Sequence, residues 1–249
     1  MIQVACTVPK KAYRTPGIQT HGTLSEVAGA QGTAHLSDRS FFEHLGLFVL
    51  PNFLEAEFIV SLRTQMLASR SEHAIVVGID GATNVDEKVR RAQYIAISKE
   101  TISALHDRFI GLIPELGKHF GVKLVGCDNP QCLMYRVGDF FTRHSDGGYS
   151  SSTNETRRRA VSAVVFLNEE SLDPAPAKFG EGRLILHGLL RGPLWDKCRF
   201  GIDAEAGLLV AFPSERLHEV TPVSHGERFT VVTWYYAGKD ESESVTAQT

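Results

Sequence analysis

Cysteine is scarce in this sequence, and its spacing excludes the common short cysteine motifs. The four cysteines are Cys6, Cys127, Cys132 and Cys198, and no two of them form a C-x-x-C pair. This spacing argues against a zinc knuckle or a thioredoxin-type redox site. We therefore expect four free thiols in a reducing cytosol.

Long apolar runs and a strong charge of either sign are absent as well. No stretch approaches the ~18 consecutive apolar residues of a membrane span, and Met1–Cys6 is too short for the core of a signal peptide. The formal net charge is −3, from 26 basic and 29 acidic residues. Such a balance indicates no wholesale binding to nucleic acid or to an anionic membrane. We expect a cytoplasmic protein with neither kind of partner, and the sequence leaves its oligomeric state open.

The composition is that of a folded chain with one core. Of the 249 residues, 43% are hydrophobic, which is enough to build a sizeable core. Residues 1–37 are rich in Gly, Thr, Ser and Ala and predict a flexible N-terminal arm. No linker or internal repeat divides the remainder, so we expect a single domain over 38–240 and a polar tail over 241–249.

The first predicted helix covers about residues 55–69. Its apolar side is predicted to carry Phe58, Leu62 and Leu67.

The second helical stretch is the clearest in the chain. Ser98 is placed to cap its start and Gly121 to end it. Pro114 interrupts the pattern, because proline lacks a backbone N–H, and should kink or split the helix. The apolar residues that recur at steps of three and four are Ile102, Leu105, Phe109, Leu112, Leu116 and Phe120.

After Gly121 the pattern is almost entirely that of strands. The run 160–167 is apolar on both faces, which predicts a strand in the middle of a sheet. The predicted strands are 122–125, 131–137, 160–167, 183–187, 207–212, 218–223 and 228–236. Helices followed by seven or more strands indicate an α+β protein, mainly β, built around an antiparallel double sheet.

A candidate metal site begins with an H-x-D pair. His144 and Asp146 stand where a strand gives way to a loop, and residues i and i+2 of a strand point the same way. His218, at the start of a later predicted strand, would supply a third ligand. Two histidines and one carboxylate are the ligand set of mononuclear non-haem iron(II) oxygenases, and this set leaves further coordination positions open.

A candidate anion-binding residue follows ten positions after His218. Arg228 lies beyond a predicted turn at 224–226 and so across a hairpin from His218. A guanidinium there could bind the far carboxylate of 2-oxoglutarate in a bidentate pair, while the near end of that molecule chelates iron. Thr230 points the same way as Arg228 and could add a hydroxyl donor.

Together these segments resemble a known family. Residues 135–146 read YRVGDFFTRHSD, residues 180–184 read GEGRL, residues 218–228 read HEVTPVSHGER, and Trp234 follows. In order and spacing they are similar to the prolyl-hydroxylase-like branch of the iron(II)/2-oxoglutarate-dependent dioxygenase superfamily. The resemblance covers about residues 38–237 and is densest from 131 to 236.

The resemblance implies a double-stranded β-helix, the jelly-roll core that this family shares with cupins, supported by N-terminal helices. It implies metal ligands at His144, Asp146 and His218 and cosubstrate contacts at Arg228 and Tyr135.

The chain departs from the family pattern at two points. Thr230 stands where several relatives have Ser, which keeps the hydroxyl. Gly180-Glu181-Gly182 replaces the commoner Gly-Gly pair.

The function implied is that of an Fe(II)- and 2-oxoglutarate-dependent oxygenase. Such an enzyme uses O₂ to hydroxylate an unactivated C–H bond and releases succinate and CO₂. Its substrate would be a peptidyl residue, an amino acid or a small metabolite. Two alternatives stay open: an inactive or sensory binding module on the same fold, and a cupin-type enzyme that does not use 2-oxoglutarate.

Substrate selection is expected from irregular segments near the mouth of the fold, at 73–97, 147–159 and 188–203. The three arginines at 157–159 fit a solvated loop, with an anchor for an acidic substrate as the alternative. His187 ends a predicted strand near the mouth and is a further candidate substrate contact. Trp234 is expected to pack in the core.

Overall fold

The computed structural model describes residues 2–5, 44–69, 71–73, 76–77, 83–84, 86–147, 156, 158–189 and 199–238. Of the predicted arm, only Ile2–Ala5 fall within these ranges, and they form a strand. The rest of the arm and the predicted tail lie outside the described residues. So do Cys6 and Cys198, whereas Cys127 and Cys132 are free thiols, as predicted.

The first helix, α1 (Ala56–Ala68), confirms the predicted position but not the whole of the predicted apolar side. Its buried residues are Ile59, Leu62 and Met66, which recur at steps of three and four. Leu67 is 59% exposed, so its predicted place in the core is wrong. Because each residue turns the helix by about 100°, Met66 faces the core and Leu67 is rotated away from it.

The second helical stretch divides in two, as Pro114 predicts. Helix α2 (Lys99–Gly111) begins after Ser98, whose side chain accepts a hydrogen bond from the Thr101 N–H at 3.2 Å. Helix α3 (Ile113–Phe120) has Pro114 in its first turn, where a missing N–H costs nothing. Gly121 ends α3 in the left-handed conformation, with a φ of 64°, which glycine adopts without strain.

Eighteen strands occur in the described residues, and most of them build two antiparallel sheets. In chain order they are β1 (Ile2–Ala5), β2 (Phe48–Leu50), β3 (Ser71–His73), β4 (Val76–Val77), β5 (Thr83–Asn84), β6 (Arg90–Arg91), β7 (Gln93–Ile95), β8 (Leu124–Cys127), β9 (Gln131–Tyr135), β10 (Phe140–His144), β11 (Arg159–Phe166), β12 (Phe179–Glu181), β13 (Leu184–His187), β14 (Arg199–Ile202), β15 (Leu209–Pro213), β16 (His218–Val220), β17 (Val223–Gly226) and β18 (Arg228–Ala237).

One sheet has six strands in the order β1-β14-β13-β16-β10-β6. The other has eight strands and follows the path β2-β15-β11-β18-β9-β7-β3, with β8 also paired to β18. Strands β12 and β17 form a small ribbon, as do β4 and β5. Strand β11 pairs on both sides, with β15 and β18, which confirms the prediction that 160–167 lies inside a sheet.

Strands β10 and β14 are among the strands that the predicted ranges did not include, although His144 was expected at the end of a strand. Strand β10 carries the first metal-ligand candidate and pairs with β16 and β6. Strand β14 occupies the end of the segment 188–203, which was predicted to be irregular, and that part of the prediction is wrong. Its Phe200 and Ile202 are buried between the sheets, so cross-strand pairing and burial determine the local structure there.

The core has two layers because the eight-stranded sheet is buried on both faces. Phe166 and Val164 of β11 belong to the layer between the two sheets, together with Leu186 and Phe200 of the six-stranded sheet. The alternate residue Val165 belongs to the layer between the eight-stranded sheet and the helices. This alternation follows from the two-residue period of a strand.

The helices support the sheet from outside. Phe109 of α2 and Leu62 of α1 fill the outer layer of the core. Tyr235 of β18, also in that layer, donates a hydrogen bond from its hydroxyl to the Phe109 carbonyl at 2.9 Å. Two facing antiparallel sheets with helices packed on one of them form the predicted double-stranded β-helix with supporting helices. Among the described residues, no helix combines the length and the apolar character that crossing a membrane requires.

Candidate metal and cosubstrate site

The predicted metal ligands lie on neighbouring strands of the six-stranded sheet. His144 ends β10 and His218 begins β16, and the two residues are paired in register. A bulge between Phe141 and His144 shifts that register. Asp146 follows two residues after His144, and its backbone N–H donates to the Ser214 carbonyl at 2.9 Å. Sheet pairing thus brings together residues that are 74 positions apart in the chain.

The three side chains form one compact donor cluster. His144 Nε2 lies 3.4 Å from Asp146 Oδ1, and His218 Nε2 lies 3.4 Å from Asp146 Oδ2. One potential ligand atom from each residue lies within 4.8 Å of the other two. Two imidazole nitrogens and one carboxylate oxygen on one side of a common point are the donor set of a facial triad.

Hydrogen bonds to the backbone determine which nitrogen of each ring faces the cluster. The Nδ1 of His144 lies 2.8 Å from the Thr142 carbonyl, and the Nδ1 of His218 lies 2.8 Å from the Arg216 carbonyl. A carbonyl oxygen only accepts, so each Nδ1 carries the proton and donates. In the neutral form of each ring, Nε2 then presents a lone pair to the centre of the cluster, which is the form in which histidine binds a metal.

Burial and charge favour the ionisation states that a metal site needs. Burial lowers the pKa of His218 to about 4, although the facing Asp146 carboxylate opposes this change. Burial alone would raise the pKa of Asp146, but His218, His144 and the indole of Trp234 hold it well below its usual range. At neutral pH the cluster therefore contains a neutral His218 and an ionised Asp146. This donor chemistry fits a divalent ion such as Fe(II).

The cluster opens into a cavity of about 610 Å³. The cavity wall also includes Arg228, Thr230 and Tyr135, the three residues predicted to contact a cosubstrate. Arg228, Thr230, Val232 and Trp234 all line the cavity, because alternate residues of β18 face the same side. The structure thus brings all six predicted site residues to one cavity.

Arg228 is a buried cation with few partners in the protein. Its side chain is 2% exposed, and its guanidinium carbon lies 5.0 Å from the centre of the Tyr135 ring and 5.2 Å from that of Phe166. Its Nη1 donates to the Thr230 hydroxyl at 3.4 Å, and its Nε has no hydrogen-bond partner. No carboxylate of the described residues forms a salt bridge with it.

Burial lowers the pKa of Arg228 to about 10, with Tyr135 and Glu170 opposing the change, so the guanidinium stays charged at neutral pH. A buried charge without a counter-ion is costly. An anionic group in the cavity would compensate this cation, and the distal carboxylate of 2-oxoglutarate has the matching charge and fork geometry.

Within the Gly180-Glu181-Gly182 segment, Gly182 lies against Arg228. Gly182 has a φ of 59°, and a Cβ built there would lie 2.8 Å from Val223 Cγ2 and 3.2 Å from Arg228 Cδ. Glycine at 182 therefore lets the chain pass close to Arg228, which identifies the second glycine of the G-E-G segment as the one nearest the site.

Several residues at the site were not predicted from the sequence. The Phe141 ring stacks on the His144 ring with centroids 3.5 Å apart, and the Arg90 guanidinium lies 4.7 Å from the centre of the Phe141 ring. Trp234 was predicted to pack, and it also lines the cavity, where the Arg159 guanidinium lies 3.9 Å from its ring centre. Trp234 stands six residues after Arg228, and an even separation along one strand is a sequence signal that could have placed both side chains on the same face.

Of the further candidate substrate contacts, one lies at the cavity and another does not. Arg159 lines the cavity and pairs with Asp128 at 3.1 Å, whereas Arg157 lies outside the described residues. His187 does not line the cavity, and its Nε2 lies 3.3 Å from Glu219 Oε1. A strand end is therefore not enough to place a side chain at the mouth.

The fold and the donor cluster together define a class: double-stranded β-helix proteins with a His-Asp-His facial triad. Comparisons with known proteins show which members of this class the chain is similar to. A family model described as the 2OG-Fe(II) oxygenase superfamily matches residues 130–236. A PKHD-type hydroxylase of Shewanella sp. (strain MR-7) is 32% identical over 105 residues, 42% of this chain and 41% of that protein. The chain thus spans about two fifths of the length of this curated relative.

Two further similarities cover more of the chain. The PKHD-type hydroxylase YbiX of Escherichia coli O1:K1 / APEC is 24% identical over 193 residues, 76% of this chain and 77% of that protein. A solved prolyl hydroxylase from Trichoplax adhaerens, in complex with a hypoxia inducible factor oxygen degradation domain peptide fragment, has a TM-score of 0.58. It is 18% identical and the match covers 84% of this chain and 90% of that one, a likeness of fold.

The chain is thus similar to 2OG-Fe(II) oxygenases over residues 130–236 and, in its fold, to a solved prolyl hydroxylase. The matched family is named for 2-oxoglutarate and Fe(II), and the cluster of His144, Asp146 and His218 could hold such an ion.

Proposed function

We propose that this protein is an Fe(II)- and 2-oxoglutarate-dependent hydroxylase. In this proposal His144, Asp146 and His218 hold the metal, and Arg228, with Thr230 and Tyr135 beside it, holds the distal carboxylate of 2-oxoglutarate. One observation supports it above the others: a single cavity contains both a His-Asp-His donor cluster and a buried arginine that lacks a carboxylate partner among the described residues.

When bound, Fe(II) would supply the reduction of O₂ coupled to the decarboxylation of 2-oxoglutarate, with succinate, CO₂ and a hydroxylated product as the outcome. The protein's own residues would orient and shield the reactants. The rings of Tyr135 and Phe166 keep water away from the Arg228 guanidinium, which strengthens its attraction for a carboxylate. The ring of Phe141 covers one face of His144 and limits access of water to this ligand.

The substrate class in this proposal is a peptidyl residue, a free amino acid or a small metabolite. The solved neighbour that is in complex with a peptide favours a peptidyl residue. Arg90 and Arg159 in the cavity wall would contact acidic groups of the substrate. Both belong to segments, 73–97 and 147–159, where the sequence predicts substrate selection.

We further propose that residues 38–240 act as one domain in the cytoplasm, without nucleic-acid or membrane partners. The single domain is supported by the eight-stranded sheet, which contains both β2 and β18, and β1 of the arm pairs with β14 of the other sheet. The arm and the tail keep the boundaries expected from composition, 1–37 and 241–249.

The test is anaerobic loading of the purified protein with Fe(II), followed by addition of 2-oxoglutarate, O₂ and a panel of peptides, amino acids and metabolites. Substrate-dependent formation of succinate and a product that gains one oxygen atom from ¹⁸O₂ would support the proposal. Asp146→Ala should abolish both, whereas Asp107→Ala, at an exposed position of α2, should change neither. Binding of 2-oxoglutarate without any turnover across the panel would favour the binding-module alternative. Turnover that does not depend on 2-oxoglutarate would favour the cupin-type one.

A further inference from the structure

Two buried serines lie behind the candidate metal ligand Asp146. Ser162 is in the middle of β11 and is 1% exposed, and Ser214 directly follows β15 and is not exposed at all. The Ser162 hydroxyl lies 2.7 Å from Asp146 Oδ2 and 2.9 Å from the Ser214 hydroxyl. Both side chains are almost fully buried, so we expect their hydrogen bonds to be made within the protein.

The number of hydroxyl protons determines which group donates in each of these two hydrogen bonds. Ser162 has one hydroxyl proton, and an ionised carboxylate can only accept. Ser162 therefore donates to Asp146, and Ser214 donates in turn to Ser162. The order is Ser214 to Ser162 to Asp146, and each hydroxyl has a defined role.

The backbone holds this arrangement in place. Ser162 is paired on both sides, opposite Phe212 of β15 and Trp234 of β18. The Ser214 N–H donates to the Ala160 carbonyl, and the Ser214 carbonyl accepts from the backbone N–H of Asp146 at 2.9 Å. The Asp146 carboxylate is thus positioned from two directions, by its backbone and by the Ser162 hydroxyl.

The Ser162 hydroxyl contacts only one of the two carboxylate oxygens of Asp146, whereas the histidines face both. Oδ1 lies 3.4 Å from His144 Nε2, and Oδ2 lies 3.4 Å from His218 Nε2, so the imidazoles face both oxygens equally. Only Oδ2 receives the hydrogen bond from Ser162. Oδ1 receives no hydrogen bond from Ser162 and faces the Nε2 of His144.

We propose that Ser162 is a positioning residue that makes Asp146 a one-oxygen ligand, with Oδ1 on the metal and Oδ2 held by the serine. This inference rests on the proposed function. A carboxylate that bound through both oxygens would occupy an additional coordination position. The protein would then offer fewer of the open positions that 2-oxoglutarate and O₂ require.

The experiment uses Co(II), which can be followed by its absorption spectrum and by calorimetry without turnover. Ser162→Ala should weaken Co(II) binding by about tenfold, the lower end of the range for partners of metal ligands. It should also change the visible Co(II) spectrum, because the coordination number changes, and weaken 2-oxoglutarate binding to the Co(II)-loaded protein. Ser162→Thr keeps the hydroxyl and should restore the spectrum. Ser214→Ala should have a much smaller effect, since Ser162 still donates to Asp146.

A matched control separates positioning from loss of a buried hydrogen bond. Thr233 is not exposed and donates to the Asp128 carbonyl at 2.7 Å, away from Asp146. Thr233→Val should lower the melting temperature of the metal-free protein about as much as Ser162→Ala does, and should leave the Co(II) spectrum unchanged. If Ser162→Ala does not fold, Ser162→Cys, with a similar shape and a much weaker donor, carries the same test.

The outcomes distinguish this inference from the proposed function. If the native protein binds Co(II) and Asp146→Ala does not, an unchanged spectrum and affinity in Ser162→Ala would overturn the role of Ser162 alone. An equal spectral change in Thr233→Val would overturn it too. Failure of the native protein to bind either Co(II) or Fe(II) would overturn both proposals.

Discussion

Arg228 and Tyr135 are paired directly across β18 and β9, and the guanidinium carbon of Arg228 lies 5.0 Å from the centre of the Tyr135 ring. The ring covers the cation on one side and Phe166 approaches it from another. The charge is thereby kept out of water, and an anion that enters the cavity would interact with it at a low local dielectric. This environment explains why one arginine would be sufficient to fix the far end of a dicarboxylate.

Replacing Arg228 by Ala should weaken 2-oxoglutarate binding by about 2–5 kcal/mol, because a buried charged pair is lost. Metal affinity should change little, since Arg228 is not among the clustered ligand atoms. Calorimetric titration of 2-oxoglutarate into the Co(II)-loaded protein would measure the loss. Arg136→Ala, which removes an exposed arginine paired with Glu227 at 3.8 Å, is the control and should leave the affinity unchanged. Unchanged affinity in Arg228→Ala would transfer the role to another cation.

Thr230 should contribute less than Arg228. Thr230→Val keeps the shape of the side chain and removes the hydroxyl that lies 3.4 Å from the Arg228 guanidinium. The expected loss in 2-oxoglutarate affinity is about 1 kcal/mol, the value of one hydrogen bond. Thr230→Ser should keep the native affinity in the same titration. A loss in Thr230→Ser as large as that in Thr230→Val would show that the methyl group, not the hydroxyl, is what matters.

The metal-free protein should lose stability as the pH falls from about 6.5 towards 4. The pKa of His218 is about 4 in the folded protein and 6.5 in its ordinary state. Between these values the unfolded chain binds more protons, so the free energy of unfolding decreases with falling pH, by at most about 1.4 kcal/mol per pH unit for this residue. Asp146 adds nothing in this window, because its contribution is lost only below its ordinary pKa of 3.8.

Urea denaturation with chelator at pH 7, 6 and 5 would measure this slope, with His218→Gln as the comparison. The variant has no titrating group at this position and should have the smaller slope. Equal slopes in the two proteins would contradict the assignment to His218.

Tyr235→Phe should destabilise the protein by about 1–2 kcal/mol. The change removes the hydroxyl that donates to the Phe109 carbonyl and leaves that carbonyl buried without this partner. The midpoint of urea denaturation would report the loss. Tyr236→Phe, at the partly exposed neighbouring position, should have little effect. Similar changes in both variants would mean that the link between β18 and α2 is not what stabilises this region.

Local sequence patterns predicted those helices and strands whose structure depends mainly on neighbouring residues in the chain. Pro114 predicted the division between α2 and α3, because a missing N–H acts on the helix that contains it. The apolar run 160–167 predicted the central strand β11, because few other structures bury both faces of such a short segment. Leu67 shows where such local prediction fails. Spacings of three and four residues fit more than one helix face, and in the folded protein Met66, not Leu67, is buried in the core.

The strands β10 and β14 show what a local pattern misses. Residues 140–144 are at most partly buried and do not alternate, so no two-residue period marks them. Pairing with β16 and β6 makes them a strand. Residues 199–202 likewise become a strand through pairing with β13 and β1.

The sequence by itself determined the fold class and the identity of the candidate ligands. His144, Asp146, His218 and Arg228 are marked by their spacing and order, because the chemistry needs those residue types and strand geometry limits the spacing between them. Only the tertiary structure decided how the site is supported. Ser162 and Phe166 have no unusual position in the sequence, and they reach Asp146 and Arg228 through sheet pairing and packing. Their contacts join residues far apart in the chain, and such contacts form only when the two sheets close around the cavity.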